Sequence, residues 1–253
     1  MHDSEFWFHH FKINLHEKRI NWNNPPTISH QEKSQIIESL QAWQLGETSE
    51  GKQLIAAAEK HSQNLDDPHY VDAIKLFIQE EQKHGENLGK YLDLVGEKRI
   101  QSNWGDRIFR TIRHLNSSME VWTITVIIVE NAALVYYQAI SDAVNCVLLR
   151  SICRDILMDE GHHIKFQNER LFSIFQSKGI YARAFAVTWY CILFFATIHA
   201  IWFAHSKAFK AGGIDMNRFM RQMYHKFFYT IRYIHHQPLP ETLSAQFVKE
   251  FNK

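Results

Sequence analysis

The chain has 253 residues, of which 28 are Lys or Arg and 27 are Asp or Glu, so its formal net charge is +1. Taken over the whole chain, this balance lacks the strongly basic character of a nucleic-acid-binding protein, and we expect no nucleic-acid partner. Hydrophobic residues make up 45% of the chain, which is ordinary for a globular protein able to bury a sizeable core. Only five prolines and ten glycines interrupt it, which favours long helices.

The three cysteines, Cys146, Cys153 and Cys191, form no Cys-x-x-Cys pair and are too sparse for a disulfide framework or a zinc site. Their number fits a reducing compartment. The first twelve residues are polar and aromatic and lack the basic-then-apolar pattern of a secretory signal. We therefore expect a cytoplasmic protein.

The first half of the chain predicts two long helices. Residues 1–30 are expected to be irregular, because a His-rich, aromatic start is followed by two asparagines and two prolines. A first helix is predicted from about Ser29 to Ser62, since its apolar residues recur every three or four positions. Glu47 falls on this apolar stripe.

A turn at residues 64–68 precedes the second helix, with Asp67 as its cap and Pro68 at its first position. The apolar face of this helix includes Glu81 and His84, each at a position where the pattern calls for an apolar residue. Two ionisable side chains thus interrupt a face that is predicted to be buried.

The second half repeats this organisation. Residues 96–116, with glycines and mixed charge, are predicted to form a long crossover between two helical pairs. A capping box at Ser117 and Glu120 opens the third helix, whose inner face carries Glu130. A break near residues 141–145 leads to the fourth helix.

Glu160 and His163 lie on the inner face of this fourth helix. We therefore predict an all-α fold, with a four-helix bundle over residues 31–178 and a C-terminal helical extension over residues 179–253.

The extension begins with an almost wholly apolar stretch, residues 184–204, which is long enough in principle to span a bilayer. Gly212 and Gly213 separate it from a basic, aromatic helix at about residues 216–234, and residues 205–253 hold eight Lys or Arg against three Asp or Glu. We favour packing of this extension on the bundle or on a second subunit in a homodimer. Enclosure of a substrate channel and peripheral membrane contact are the less favoured alternatives.

One short pattern, Glu-x-x-His, occurs twice, at Glu81–His84 and at Glu160–His163. Glu47 precedes the first copy by 34 residues and Glu130 precedes the second by 30, the distance needed to descend one helix and ascend the next. Residues i and i+3 share a helix face, so each Glu and His can address the same pair of ions. A single copy would usually lie on a solvated face, but two copies on inner stripes predict a buried two-metal site.

Carboxylate and imidazole ligands suit iron or manganese, whereas no thiolate is offered that would favour zinc or copper. Four carboxylates balance the charge of two divalent ions, so the filled site is near neutral and can be buried. We predict two iron ions, with manganese or a mixed Mn/Fe pair as alternatives.

The second-helix sequence around Glu81 and the fourth-helix sequence Asp159-Glu160-Gly-His-His163 resemble those of ferritin-like di-iron carboxylate proteins, over roughly residues 35–178. Gly46-Glu47 resembles the Gly-Glu of rubrerythrins and of cyanobacterial aldehyde-deformylating oxygenases. The resemblance implies that Glu47 and Glu130 are the terminal carboxylates and that Glu81 and Glu160 are the bridging ones. It also implies that His84 and His163 are the histidine ligands.

Several assignments stay open. Glu50, one turn after Glu47, would reduce the first spacing to 31 residues, but we prefer Glu47 for its Gly-Glu match. Glu80 and His162 point about 100° away from the ligand face, so they either support the ligands from behind or face solvent. Tyr137 shares a face with Glu130 and is interpreted as a core residue, with a redox-active role as the alternative.

The resemblance implies a protein that reacts with O2. About 75 residues follow the fourth helix, unlike a cage-forming ferritin, and no Cys-x-x-Cys pair supplies the rubredoxin-type domain of a complete rubrerythrin. We expect an O2-dependent oxidoreductase that acts on a small or lipid-like organic molecule with an unidentified electron donor. The alternative is a non-catalytic iron-binding protein of the ferroxidase type.

Overall fold

The computed structural model describes residues 1–102 and 118–236, and within these ranges the protein forms eight helices and no strand. The all-α prediction is therefore confirmed. The helices are α1 (Ser4–Asn14), α2 (His30–Glu47), α3 (Lys52–Ser62), α4 (Tyr70–Leu94), α5 (Met119–Ala143), α6 (Val147–Gln176), α7 (Ile180–Ala211) and α8 (Met216–His235). Most of the predicted crossover, together with Ser117 of the predicted capping box, lies outside the described residues.

Helices α2, α4, α5 and α6 form the bundle, in which α2 packs on α4 and α5 packs on α6. Their inward apolar residues recur at helical spacing and are buried in one core, for example Leu40, Leu88, Ile128 and Ile156. Helix α1 packs on α4, α7 on α2 and α5, and α8 across α5, α6 and α7. The site described below lies among the four bundle helices.

The predicted first helix is in fact two helices. Helix α2 opens with a capping box between Ser29 and Glu32 and ends at Glu47, and α3 begins at Lys52. Gly51 between them has a φ of 63°, and a Cβ there would lie 2.5 Å from the side chain of Ile78. Because this backbone conformation strongly favours glycine, the chain turns where the periodicity predicted continuity.

The expectation that residues 1–30 are irregular is wrong for residues 4–14, which form α1. The carboxylate of Asp3 caps this helix by accepting from the backbone N–H of Phe6 at 2.8 Å. Trp7 and Phe11, one turn apart, are buried in a cluster with Phe166 of α6. Burial of these rings against the bundle stabilises a helix that is too short to be stable alone.

The second helix begins slightly later than predicted. His69 is its cap and Tyr70 its first residue, while the carboxylate of Asp67 accepts a hydrogen bond from Ser4 Oγ at 2.6 Å. The break predicted between the third and fourth helices is confirmed, because α5 ends at Ala143 and α6 starts at Val147.

Helices α7 and α8 form a hairpin around a turn in which Gly213 has a φ of 75°. One face of α7 is buried, including Tyr190, Phe194 and Ile198. By length and composition both α5 and α7 could cross a membrane, but 72% of the apolar stretch of α5 is buried inside the protein, against 39% of that of α7. Helix α5 is thus a core helix, whereas much of the apolar surface of α7 is not covered by the described part of the chain.

Candidate metal centre

The six residues predicted as metal ligands meet at one place in the bundle. Helix α2 contributes its last residue, α4 and α6 each contribute a Glu-x-x-His pair, and α5 contributes one carboxylate. The potential ligand atoms form two groups, and within each group they all lie within 4.8 Å of one another. One group is Glu47, Glu81 and His84, and the other is Glu81, Glu130, Glu160 and His163. Because Glu81 belongs to both groups, the cluster has the form of two adjoining cation sites.

Two carboxylates each face both histidines. The Oε1 and Oε2 atoms of Glu160 lie 3.9 Å from Nδ1 of His84 and 3.7 Å from Nδ1 of His163, respectively. Oε1 of Glu81 lies 3.9 Å and 2.8 Å from the same two nitrogens. Two atoms bound to one metal ion at about 2.1 Å are separated by roughly 3–4 Å, so most of these distances suit shared ligation. Glu81 and Glu160 therefore each lie within 4 Å of the Nδ1 atoms of both histidines.

Several buried polar atoms of the cluster form no well-aligned hydrogen bond among the described residues, even where two of them make an ion pair, as Oε1 of Glu81 and Nδ1 of His163 do at 2.8 Å. They are Oε1 of Glu81, both carboxylate oxygens of Glu160, and Nδ1 of His84 and of His163. Buried polar atoms are normally satisfied, and unpaired ones at such a density are strongly destabilising. All five atoms belong to predicted ligands, so the arrangement fits cations bound among them.

A second pair of carboxylates holds the histidines from behind. Nε2 of His84 donates to Asp159 at 3.0 Å, and Nε2 of His163 donates to Glu80 at 2.9 Å. Since a carboxylate can only accept, these contacts place the proton on Nε2 and leave Nδ1 to hold either a further proton or a metal ion. Carboxylates in this position orient metal-binding imidazoles and raise their basicity.

The end of α1 ties these outer carboxylates, Glu80 and Asp159, together. The side-chain amide of Asn14 donates to Glu80 at 2.7 Å and to Asp159 at 2.8 Å. Arg19 forms ion pairs with Asp159 and with Asp155 of the preceding turn of α6. The N-terminal segment thus closes the site beneath both histidines.

Sequence reasoning assigned no role to Asn14, Arg19 or Asp155, and it treated Asp159 only as part of the motif. One signal could have identified the outer carboxylates: an acidic residue directly precedes the ligand Glu in both motif copies, as Glu80 and Asp159. Each points off the ligand face of its own helix but towards the histidine of the other helix. Of the two open assignments, Glu80 accepts a hydrogen bond from the predicted ligand His163, whereas His162 is exposed.

The structure also distinguishes the two candidate carboxylates of the first helix. Glu47 is buried in the cluster, while Glu50 is exposed and pairs with Lys52 outside it. Gly85 lets the end of α2 approach α4, since a Cβ there would lie 2.7 Å from Thr48 Cγ2. Tyr137 donates a hydrogen bond to Oε1 of Glu47 at 2.7 Å, so this buried core tyrosine contacts a predicted ligand directly.

The charges of the cluster perturb one another. Burial raises the pKa values of Glu47 and Glu130 well above the usual carboxyl range, and the neighbouring charges of Glu81 and Glu160 raise them further. Burial opposes the charging of His163, but the surrounding carboxylates outweigh it and raise its pKa. Burial would likewise raise the pKa of Glu81, but the two imidazoles hold it at about 2. Protons thus neutralise the cluster without metal, and bound cations would replace them.

We expect Asn14→Ala to weaken metal binding by about 10- to 100-fold, because both outer carboxylates lose the same donor. Competition against a chelator of known affinity measures this change. Asn23→Ala, in the exposed part of the same segment, is the matched control and should leave the affinity unchanged. Equal affinities in folded Asn14→Ala and wild-type protein would contradict a supporting role for Asn14.

No protein-family profile and no curated protein matches the chain. Two solved structures are similar to it, both of single-residue variants of an R2-like ligand-binding oxidase with an aerobically reconstituted Mn/Fe cofactor. Each match covers 91% of this chain and 93% of the matched chain. One structure is 15% identical in sequence, with a TM-score of 0.65. The second is 16% identical with a TM-score of 0.63. The chain therefore has the fold of the R2-like ligand-binding oxidases, a ferritin-like helical bundle.

Proposed function

We propose that the protein is an oxidoreductase that binds two metal ions, iron or a mixed Mn/Fe pair, and uses them to activate O2 for oxidation of a small or lipid-like organic molecule. The observation that carries this proposal is the pair of adjoining ligand groups that share Glu81. The Mn/Fe cofactor of the two similar structures supports the choice of metals, and their description as ligand-binding oxidases supports an organic ligand.

In this proposal Glu47 and His84 would hold one ion, Glu130 and His163 would hold the other, and Glu81 and Glu160 would contribute to both. Hard carboxylate oxygens with one imidazole per ion suit Fe and Mn. Such a pair, when bound, supplies the electrons for O2 reduction and the oxidising power for an organic substrate. Four carboxylates neutralise two divalent ions, which allows the site to remain buried.

The protein's own groups position the ligands and control protons. Asp159 and Glu80 fix the imidazole rings, so the ligand nitrogens keep their direction when the charge in the site changes. The hydroxyl of Tyr137 is bonded to Glu47, and burial raises the pKa of this tyrosine well above its usual value. Tyr137 therefore keeps its proton and holds one oxygen of Glu47 in a fixed place. Phe77 and Phe11 pack against the ring of His163 and keep water away from that side.

The alternative is a non-catalytic protein that binds or oxidises iron. The same buried carboxylates would serve such a protein, because ferroxidase sites and oxygenase sites share these ligand types. The two functions differ in what limits iron uptake: an oxidoreductase stops at two ions per chain, whereas a sequestering protein continues to accumulate iron.

An oxygen-uptake screen on the metal-loaded protein tests the proposal. With a reductant present, we expect O2 consumption that increases on addition of one class of organic compound, such as fatty acids or aldehydes. The metal-free protein is the control and should show no such increase. Uptake of many irons per chain, with O2 consumption that depends on iron alone, would instead establish the iron-binding alternative.

A further inference from the structure

An aromatic surface on the C-terminal hairpin is left uncovered by the bundle. It includes large apolar side chains that are at least 44% exposed: Tyr181, Phe185, Ile192 and Phe203 of α7, and Tyr224 and Phe228 of α8. The four positions on α7 lie on one side of the helix and extend over about 33 Å at 1.5 Å per residue. An exposed apolar surface of this length marks an interaction site.

The two helices contribute to one continuous surface. The ring of Tyr224 lies 5.7 Å from that of Phe195, which is itself 44% exposed on α7. Along α8, Tyr224 and Phe228 are one turn apart and therefore share a face. Arg221, three residues before Tyr224, and Arg232, four residues after Phe228, lie on the same face and are exposed. Two exposed arginines thus border the aromatic surface on α8.

The charge of the hairpin is strongly one-sided. Residues 180–236 contain seven Lys or Arg and one acidic residue, Asp215, a net charge of +6. The carboxylate of Asp215 is engaged at the start of α8, where it accepts from the backbone N–H of Arg218 at 2.7 Å. Since the whole chain has a formal net charge of +1, the remainder sums to −5. The hairpin that carries the aromatic surface is therefore strongly positive, whereas the rest of the chain is net negative.

We propose that this surface of α7 and α8 binds to an anionic lipid bilayer, with the aromatic side chains in the interface and the arginines on lipid headgroups. The combination of aromatic residues with Lys or Arg is typical of helices that lie in a membrane interface. A second copy of the chain fits less well, because it would bring an equally positive surface against this one. The inference rests on exposure and charge and does not depend on the metal centre.

Co-sedimentation of the full-length, metal-loaded protein with lipid vesicles tests the proposal. We expect binding to vesicles that contain about 30% phosphatidylglycerol, little binding to pure phosphatidylcholine, and loss of binding between about 50 and 500 mM NaCl. Arg221→Glu with Arg232→Glu should weaken binding by about tenfold or more, because each basic residue near an anionic surface contributes several-fold to affinity. Phe185→Gln with Phe203→Gln should have a similar effect through lost insertion.

Matched controls carry the same kinds of change, a basic residue to Glu and an apolar residue to Gln, at exposed positions away from this surface. Lys52→Glu with Lys60→Glu on α3, and Ile13→Gln on α1, alter exposed residues and should leave vesicle binding unchanged. Circular dichroism and metal content establish that each variant is folded. Absence of binding to anionic vesicles by the wild-type protein would overturn the proposal. So would a stable dimer in solution that is dissociated by Phe185→Gln with Phe203→Gln.

Discussion

Replacing either shared carboxylate should empty the metal site. We expect Glu81→Ala and Glu160→Ala to reduce the content from about two ions per chain to well below one, because each residue would serve both ions. The orphaned oxygens of Glu160 and its distances of 3.9 and 3.7 Å to the two histidine nitrogens motivate this expectation. Elemental analysis of the purified variants measures the loss.

Glu50→Ala is the matched control for this experiment. Glu50 is the other candidate on the first helix, but it is exposed and pairs with Lys52, so its loss should leave two ions bound. Glu47→Ala should lose mainly the ion shared with His84. Full metal occupancy in folded Glu81→Ala and Glu160→Ala proteins would refute the assignment of the site.

The second large effect concerns stability and pH. The pKa values of Glu47 and Glu130 are raised in the folded protein, so without metal their contribution to stability is lost as the pH rises above about 4.5. The raised pKa of His163, which pairs with nearby carboxylates, adds stability below about 6.5 that is lost at higher pH. On the acidic side, Glu81, with a pKa of about 2, contributes stability that is lost as the pH falls towards that value.

We therefore expect the metal-free protein to be most stable near pH 4.5, and to lose stability from there towards pH 8, more steeply above about 6.5 where His163 adds its contribution. Metal binding requires deprotonated ligands, so the metal-bound form should gain stability over the same pH range. The difference in melting temperature between the two forms should widen as the pH rises. In a protein of this size, each kcal/mol of difference in unfolding free energy corresponds to about 2–4 °C. A gap that narrows with rising pH would contradict the assigned pKa shifts.

Glu130→Gln separates the two roles of this carboxylate. The amide imitates the protonated acid, so the variant should bind metal less tightly. Its metal-free form should nevertheless be more stable than wild type at pH 8, by about 1 kcal/mol or more, and little changed near pH 4.5. Glu38→Gln on the exposed side of α2 is the control and should not alter the pH dependence. A lower melting temperature for metal-free Glu130→Gln at pH 8 would count against the interpretation.

The sequence by itself determined the helical class and the set of chemically matched side chains. Spacing of i and i+3 is a local property, so it could show that Glu81 and His84, and likewise Glu160 and His163, share a face. Replacement of apolar residues on that face indicated burial, because a solvated charge has no need to interrupt an apolar stripe. These inferences require no knowledge of which helices are neighbours.

Tertiary structure decided what surrounds that set. The turn at Gly51 placed Glu47 inside the cluster and Glu50 outside, although both lie on one stretch of helical pattern. Asn14 reaches Glu80 and Asp159 only because the rings of α1 pack across the bundle, a contact between residues more than 140 positions apart in the case of Asp159. Periodicity shows that a face is apolar but not which element covers it. Only the structure therefore shows which face of α7 packs on the bundle and which aromatic residues stay exposed.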